Sequence, residues 1–150
     1  MLNPIYPVMK VSETIFRGNI RSETALSLKL PDYEYNPQWH PRTLLDATGR
    51  LFPLISVERL QLSDVPLRGK MAMIIGSCTL LDRNTVWFQH TFGEPQQLTL
   101  SEAVDFLVYQ MLKVKLRWKP DGPSIRSFRA ELEMSRDISE ITRLPYAESR

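Results

Sequence analysis

The sequence predicts an α+β protein, in which a mainly antiparallel β-sheet of five to seven strands carries one long helix, at about 100–113, on one face. Three observations support this class. Apolar residues alternate with polar ones in several short segments, turn residues separate those segments, and one capping motif precedes a helical pattern. The chain has 150 residues, and we expect a single globular domain over 1–150.

The first strands are predicted from the pattern of apolar residues between positions 25 and 62. In "ALSLKLP", Leu26, Leu28 and Leu30 lie on one parity, as in a half-buried strand. "LLDATGRLFPLISVERLQL" contains two apolar runs joined by the turn residues 46–49. Because proline cannot donate to a strand ladder, Pro53 predicts that the second of these strands begins late or lies at an edge.

The strongest β pattern is a hairpin formed by "MAMIIGSCTLL" and "TVWFQHTF", with the short polar loop 82–84 between them. This register would place Cys78 and His90 on the same apolar face, diagonal to each other. A thiol and an imidazole at that separation are the only catalytic candidate in the sequence. The other side chains of that face are apolar, which favours a buried, inert thiol beside a hydrogen-bonded histidine.

The long helix is predicted to begin at Leu100, because Thr99 and Glu102 have the spacing of a capping box. Apolar residues then recur at helical spacing as far as about Lys113. The opposite side of the helix carries two aromatic residues, Phe106 and Tyr109. We therefore expect the helix to be covered on two sides, by the sheet and by a loop or a partner.

The segment "KVKLRWK", 113–119, alternates cations with apolar residues, which predicts a strand with four cations on one face. Continuation of the helix is the alternative, since no Gly or Pro marks a join, but it would place Lys115 within the apolar stripe. Alternation between Phe128 and Met134 predicts another strand within 124–134, although "RAELEM" has the composition of a helix. From Arg136 onward a short helix or a frayed tail is expected.

The composition is that of an ordinary globular protein, with 43% hydrophobic residues, 24% charged residues and a net charge of +2. Cys78 is the only cysteine, which excludes an intramolecular disulfide and a multi-cysteine zinc site. No apolar run has the length of a signal peptide or a membrane span. We expect a cytoplasmic protein without a membrane partner.

Motifs for cofactors and metals are missing from the sequence. No two of the six glycines have the spacing of a dinucleotide-binding loop, and Gly69-Lys70 lacks the rest of a phosphate loop. His40 and His90 are the only histidines and belong to no zinc motif. We therefore predict no cofactor and no metal site.

The loop "PDYEYNPQWHP", 31–41, combines three prolines with aromatic residues. Proline restricts the backbone, and stiff aromatic side chains lose little entropy on binding. Tyr33, Tyr35 and Trp39 are therefore candidate anchors for a protein partner. The alternative is that they fold back over an open edge of the core.

Our leading prediction is a non-enzymatic protein-binding or adaptor-type module that binds a protein partner or a second copy of itself as a homodimer. Its candidate contacts are five aromatic residues, Tyr33, Tyr35, Trp39, Phe106 and Tyr109. The alternative is a nucleic-acid or polyanion-binding domain, because residues 113–136 contain seven Lys or Arg and three Asp or Glu. Its candidate residues are Lys113, Lys115, Arg117, Lys119, Arg126 and Arg129. Lysines also guard exposed strand edges, which explains the same pattern without a ligand.

Overall fold

The computed structural model describes residues 2–12, 16–77, 85–117 and 125–144. Within them the strands are β1 (Val8–Val11), β2 (Phe16–Ile20), β3 (Leu28–Lys29), β4 (Thr43–Leu45), β5 (Arg50–Leu60), β6 (Val86–Phe92) and β7 (Gln96–Gln97). The helices are α1 (Glu23–Ser27), α2 (Leu67–Ser77), α3 (Leu100–Arg117), α4 (Ile125–Glu133) and α5 (Ile138–Thr142). The protein is thus a mixed α+β structure, as predicted, but with several helices rather than one.

The strands form a curled antiparallel sheet in the order β2-β1-β4-β5-β6-β3, with β7 paired to β5. The predicted turn at 46–49 joins β4 to β5, and its last residue, Gly49, has a φ of 90° that favours glycine. Asp46 of this turn is fully buried. It accepts hydrogen bonds from the backbone N–H groups of Ile5, Thr48 and Arg50.

Pro53 lies inside β5, which begins at Arg50 and occupies the middle of the sheet, so the predicted late start or edge position was wrong. On one side of β5, residues 50–51 pair with β7 and residues 54–60 pair with β6. The missing N–H of Pro53 falls between these two partners. Proline is tolerated in a central strand here because no ladder hydrogen bond is lost.

Two apolar cores lie on opposite faces of the sheet. On one face α3, α4 and α5 enclose a core around Phe16, Leu107 and Leu132. On the other face a second core contains five buried residues, Val8, Ile20, Leu26, Leu44 and Phe52. Strand β1 is buried along its whole length because it contributes to both.

Helix α3 begins at Leu100 as predicted, and the capping box is formed. Thr99 Oγ1 accepts a hydrogen bond from the Glu102 N–H at 3.2 Å, and Glu102 Oε1 accepts one from the Thr99 N–H at 3.1 Å. The helix continues to Arg117, so the predicted strand was wrong over 113–117. Lys, Leu and Arg are good helix formers, and nothing in this segment interrupts the backbone ladder.

Two other predicted strands are also helices. Residues 125–133 form α4, whose composition outweighs the alternation on which the strand prediction rested. Residues 23–27 form α1, and only Leu28–Lys29 of the predicted strand at 26–30 is extended. The Ser22 side chain caps α1 by accepting a hydrogen bond from the Ala25 N–H at 3.2 Å. The short helix expected after Arg136 is present as α5.

The first half of the predicted hairpin, residues 71–77, belongs to α2, while the second half is β6. An uninterrupted apolar run such as "MAMII" has no period that separates strand from helix, and Met and Ala favour the helix. The neighbours of β6 in the sheet are β5 and β3. Residues 78–84, including Cys78, lie outside the described residues.

Gly69 allows α2 to pack closely on the buried Trp87 of β6. A Cβ added at Gly69 would lie 2.6 Å from the Trp87 ring and 2.7 Å from the Val65 side chain. We expect Gly69→Ala to lower the free energy of unfolding by about 1–3 kcal/mol, because overpacking forces these groups apart. Urea denaturation followed by tryptophan fluorescence measures this change. Ala72→Gly in the same helix should cost only about 1 kcal/mol, and an equal loss for the two variants would contradict the close approach.

Candidate functional site

The aromatic segment 31–41 forms two short 3-10 turns, Pro31–Tyr35 and Pro37–Trp39. Tyr33 contacts Trp39, His40 and Phe88, with ring centroids 5.1, 5.5 and 6.4 Å away respectively. Tyr35 is 80% exposed. Of the three predicted anchors in this segment, only Tyr35 presents most of its side chain to solvent.

Lys10 lies beneath this aromatic segment and is almost fully buried, with 2% of its surface exposed. Its place in β1 is directly opposite Leu44, which is in turn opposite Phe52. The ammonium donates one hydrogen bond, to the Trp39 carbonyl at 2.9 Å, and lies 5.7 Å from the Tyr33 ring centroid. It forms no ion pair within the described part of the chain.

Lys29 places a second amine at the same ring. Its Nζ is also 5.7 Å from the Tyr33 centroid and donates a hydrogen bond to the Ala25 carbonyl at 3.1 Å. Burial and the neighbouring charges of Lys29 and Arg17 lower the pKa of Lys10 to about 7. Burial and Arg17 lower the pKa of Lys29 to about 8. Close to neutral pH, both amines are therefore near the midpoint of their titration.

His40 and His90 extend this group of basic residues. The ring centroids of His40 and His90 are 5.4 Å apart, and each of the two residues has 8% of its surface exposed. Burial, His40 and the two lysines lower the pKa of His90 to about 3, against a weak opposing effect of the Phe88 carbonyl. Neither ring nitrogen of His90 has a partner of hydrogen-bond geometry in the described residues. We call Lys10, Lys29, His40 and His90 the basic cluster.

His90 also lines a cavity of about 370 Å³. The other lining residues are Asn3, Pro4, Tyr6, Glu23, Leu26, Ser27, Gln89 and Phe92. Leu26 and Ser27 are buried, whereas Asn3 is exposed and Glu23 is partly exposed. The cavity therefore runs from a mouth at Asn3 and Glu23 to a floor at His90.

A different feature dominates the surface of α2. Leu67, Met71, Ile74 and Ile75 are between 56% and 73% exposed. At 100° per residue they fall within an arc of about 100°, so they form one continuous apolar row along the helix. We call these four residues the α2 row. Soluble proteins rarely leave such a row uncovered.

A groove of about 330 Å³ lies close to α2. It is lined by Arg59, Leu60, Gln61, Leu62, Met73 and Val86. Leu62 is 62% exposed. The exposed apolar surface near α2 therefore includes Leu62, which lies outside the helix.

Those of the predicted anion-binding residues that the structure describes do not form a continuous basic surface. Arg129 pairs with Asp105 at 2.9 Å and with Glu133 at 3.6 Å. Lys113 and Arg126 are exposed, and the Lys113 ammonium lies 4.5 Å from the Tyr109 ring centroid. Lys119 and the side chains of Lys115 and Arg117 lie outside the described part of the structure. Anion binding by these six residues stays a prediction.

The two predicted partner contacts on α3 differ in their exposure to solvent. Phe106 is partly buried against the core, whereas Tyr109 is 56% exposed. The predicted proximity of Cys78 to His90 stays a prediction, because Cys78 lies outside the described residues. Among the described residues, neither ring nitrogen of His90 has a hydrogen-bond partner, so the expected hydrogen-bonded histidine stays a prediction.

The sequence analysis missed the basic cluster and the α2 row. A lysine inside the apolar run "VMKV" was the available sign of a buried amine, since lysine is almost never fully buried. The contact between residues 10, 29, 40 and 90 depends on tertiary structure and has no local pattern. The α2 row was not recognised because most of its residues lie in a segment that was predicted to be a strand.

No helix among the described residues is long and apolar enough to span a membrane. In the same residues, no group of three or more His, Cys, Asp or Glu side chains is arranged to hold a metal ion. No protein-family model, curated protein or solved structure matches the chain.

Proposed function

We propose that this protein is a non-enzymatic binding module that docks a protein partner on the α2 row. The observation that carries the proposal is the exposure of Leu67, Met71, Ile74 and Ile75 on one side of a single helix. Burial of large apolar side chains is the main favourable contribution to most protein–protein associations. Apolar helical rows of this kind are recognised by complementary helices or grooves.

The charges beside the row indicate the chemistry of the partner. Helical spacing places Arg68 next to Ile75 and Lys70 next to Ile74, on opposite sides of the row. Helix α2 itself contains no acidic residue. A partner segment with apolar side chains flanked by Asp or Glu would complement this surface, and opposite charges at an interface rim favour the encounter and its specificity.

A second copy of the chain is less favoured as the occupant. Two identical α2 surfaces would bring the same basic rim, Arg68 and Lys70, to both sides of the interface, and like charges that face each other are unfavourable. Self-association is therefore the competing outcome of the test.

The test uses a photo-crosslinking amino acid at Met71, introduced into the full chain in its own cells. We expect a discrete adduct that contains a different protein, and we expect Met71→Glu together with Ile74→Glu to abolish binding of that protein without unfolding the domain. Both side chains are exposed, so the stability should change by no more than about 0.5 kcal/mol for each.

Met134 provides the matched control, since it is 83% exposed but lies away from α2. The crosslinker at Met134 should give no such adduct, and Met134→Glu should leave binding intact. Equal adducts from both positions, or none from Met71, would overturn the docking site. An adduct of twice 17.4 kDa that contains only this chain would replace the partner by a homodimer.

A further inference from the structure

The cavity beside the basic cluster has a buried polar floor. Ser27 is 1% exposed and His90 is 8% exposed. The two ring nitrogens of His90 have no hydrogen-bond partner in the described residues, although a neutral imidazole offers one donor and one acceptor. A buried polar group without a partner is destabilising, and a ligand that forms a hydrogen bond to it can remove that penalty.

The mouth of the cavity carries an acidic residue, Glu23. Glu23 lines it and forms no ion pair within the residues that the structure covers. Burial and the Glu23 charge raise the pKa of Tyr6 to about 12, against an opposing effect of the Arg68 charge, so the phenol remains protonated at neutral pH and can donate a hydrogen bond. One unpaired carboxylate therefore stands near the entrance.

The charge distribution gives the cavity two unlike ends. His90 contacts His40, His40 contacts Tyr33, and the amines of Lys10 and Lys29 both lie 5.7 Å from the Tyr33 centroid. The floor is thus backed by two amines that form no ion pair with a described carboxylate, whereas the mouth carries the carboxylate of Glu23, with Arg68 close enough to act on Tyr6. A ligand with one anionic and one cationic end can therefore place its anionic end toward the amines and its cationic end at Glu23.

Between these ends the walls include three apolar residues, Pro4, Leu26 and Phe92. We propose that the cavity binds a small zwitterion of the ω-amino acid type, with its carboxylate at His90, its methylene chain along Leu26 and Phe92, and its ammonium at Glu23. The volume of about 370 Å³ lies in the range of small-molecule sites. This site is separate from the α2 row and does not depend on the partner proposed for it.

The probes are glycine, β-alanine, γ-aminobutyrate and ε-aminocaproate, titrated at neutral pH into the purified full chain. The controls are butyrate, which lacks the ammonium, and butylamine, which lacks the carboxylate. Because His40 and His90 are the only histidines, the imidazole NMR signals report directly on the floor, and His90→Leu assigns them. We expect one member of the series to shift the His90 signals and to bind at least about tenfold more tightly than either control, which is about 1.4 kcal/mol.

Two variants separate the two ends of the ligand. His90→Leu should abolish binding without unfolding the protein, because the imidazole has no hydrogen-bond partner among the described residues and leucine buries no polar group. Glu23→Gln should remove the preference for the zwitterion over butyrate, and Glu131→Gln, an exposed change on α4, should leave the affinity unchanged. The proposal is overturned if no probe binds, if butyrate or butylamine binds as tightly as the best zwitterion, or if Glu23→Gln preserves the preference.

Discussion

Asp46→Ala is expected to lower the free energy of unfolding by about 3–5 kcal/mol, the usual cost of removing one partner of a buried ion pair. Asp46 is 0% exposed, and the guanidinium of Arg50 lies 2.9 Å from its carboxylate. The same carboxylate accepts hydrogen bonds from the backbone N–H groups of Ile5, Thr48 and Arg50 and from the Thr48 hydroxyl. Alanine would leave all these donors without their acceptor.

Urea denaturation at neutral pH measures this loss, and Glu131→Ala, an exposed change on α4, is the control with an expected effect within about 0.5 kcal/mol. Burial acts to raise the pKa of Asp46, but the hydrogen bonds from Ile5, Thr48 and Arg50 hold it below the ordinary value of 3.8. The contribution of Asp46 is therefore present above pH 3.8 and is lost as the pH falls through the lower pKa of the folded state. A loss below about 1 kcal/mol at neutral pH would show that the carboxylate is dispensable.

Lys10→Met should have the opposite sign and stabilise the protein by about 1–4 kcal/mol at pH 6, since replacing a buried charge by an apolar side chain of similar volume is often favourable. The stem of Lys10 is already packed in a fully buried strand. The ammonium has one hydrogen bond, to the Trp39 carbonyl, and its charged neighbours are Lys29 and Arg17. Losing that hydrogen bond offsets part of the gain.

The pH dependence makes this prediction specific. The pKa of Lys10 is about 7 in the folded protein and 10.5 in the unfolded chain, so the unfolded chain binds more protons between these values. The stability of the wild type should therefore rise from pH 7 toward pH 10.5, and the advantage of methionine should be full below pH 7 and vanish above pH 10.5. The pKa of Lys29 is lowered from 10.5 to about 8, so Lys29 titrates in the same pH range. The stability of the Lys10→Met protein should therefore still rise with pH, but less steeply than that of the wild type.

Lys113→Met tests whether any lysine replacement has this effect. Lys113 is exposed, so its replacement should change the stability by less than about 1 kcal/mol, with no new pH dependence. A Lys10→Met protein that is less stable than the wild type at pH 6 would mean that the buried ammonium makes a net favourable contribution. Guanidinium chloride denaturation across pH 6–10 distinguishes these results.

Local chemistry made part of the fold predictable. Thr99 and Glu102 form a capping box whose spacing is fixed within one helical turn, and 46–49 contains the turn residues that separate β4 from β5. In both cases the determining contacts join residues close in sequence. The strand predictions failed for two segments. Residues 71–75 are an uninterrupted apolar run without a period, and in 125–133 apolar alternation coincides with good helix formers, so the local pattern does not decide between strand and helix in either segment.

The candidate site was harder to predict for a different reason. The sequence singled out the aromatic segment 31–41 and left two alternatives for Tyr33 and Trp39, anchors for a partner or side chains that fold back over the core, but it predicted no contact with a lysine. In the structure Tyr33 contacts Lys10 and Lys29, which come from two separate strands. A buried amine is a property of the packed protein, because the sequence specifies the lysine but not what covers it.

The topology of the sheet sets an order for the folding of the chain. Strand β4 meets β5 across a four-residue turn, and β1 meets β2 across a similarly short connection, whereas β1 meets β4 only across residues 12–42. Closing a longer loop costs more entropy, so the two local hairpins are the cheaper structures to form first. Asp46 binds Thr48 and Arg50 within one hairpin and Ile5 beside the other. Its contacts with Thr48 and Arg50 can thus form early, and the hydrogen bond from Ile5 forms when the two halves of the sheet join.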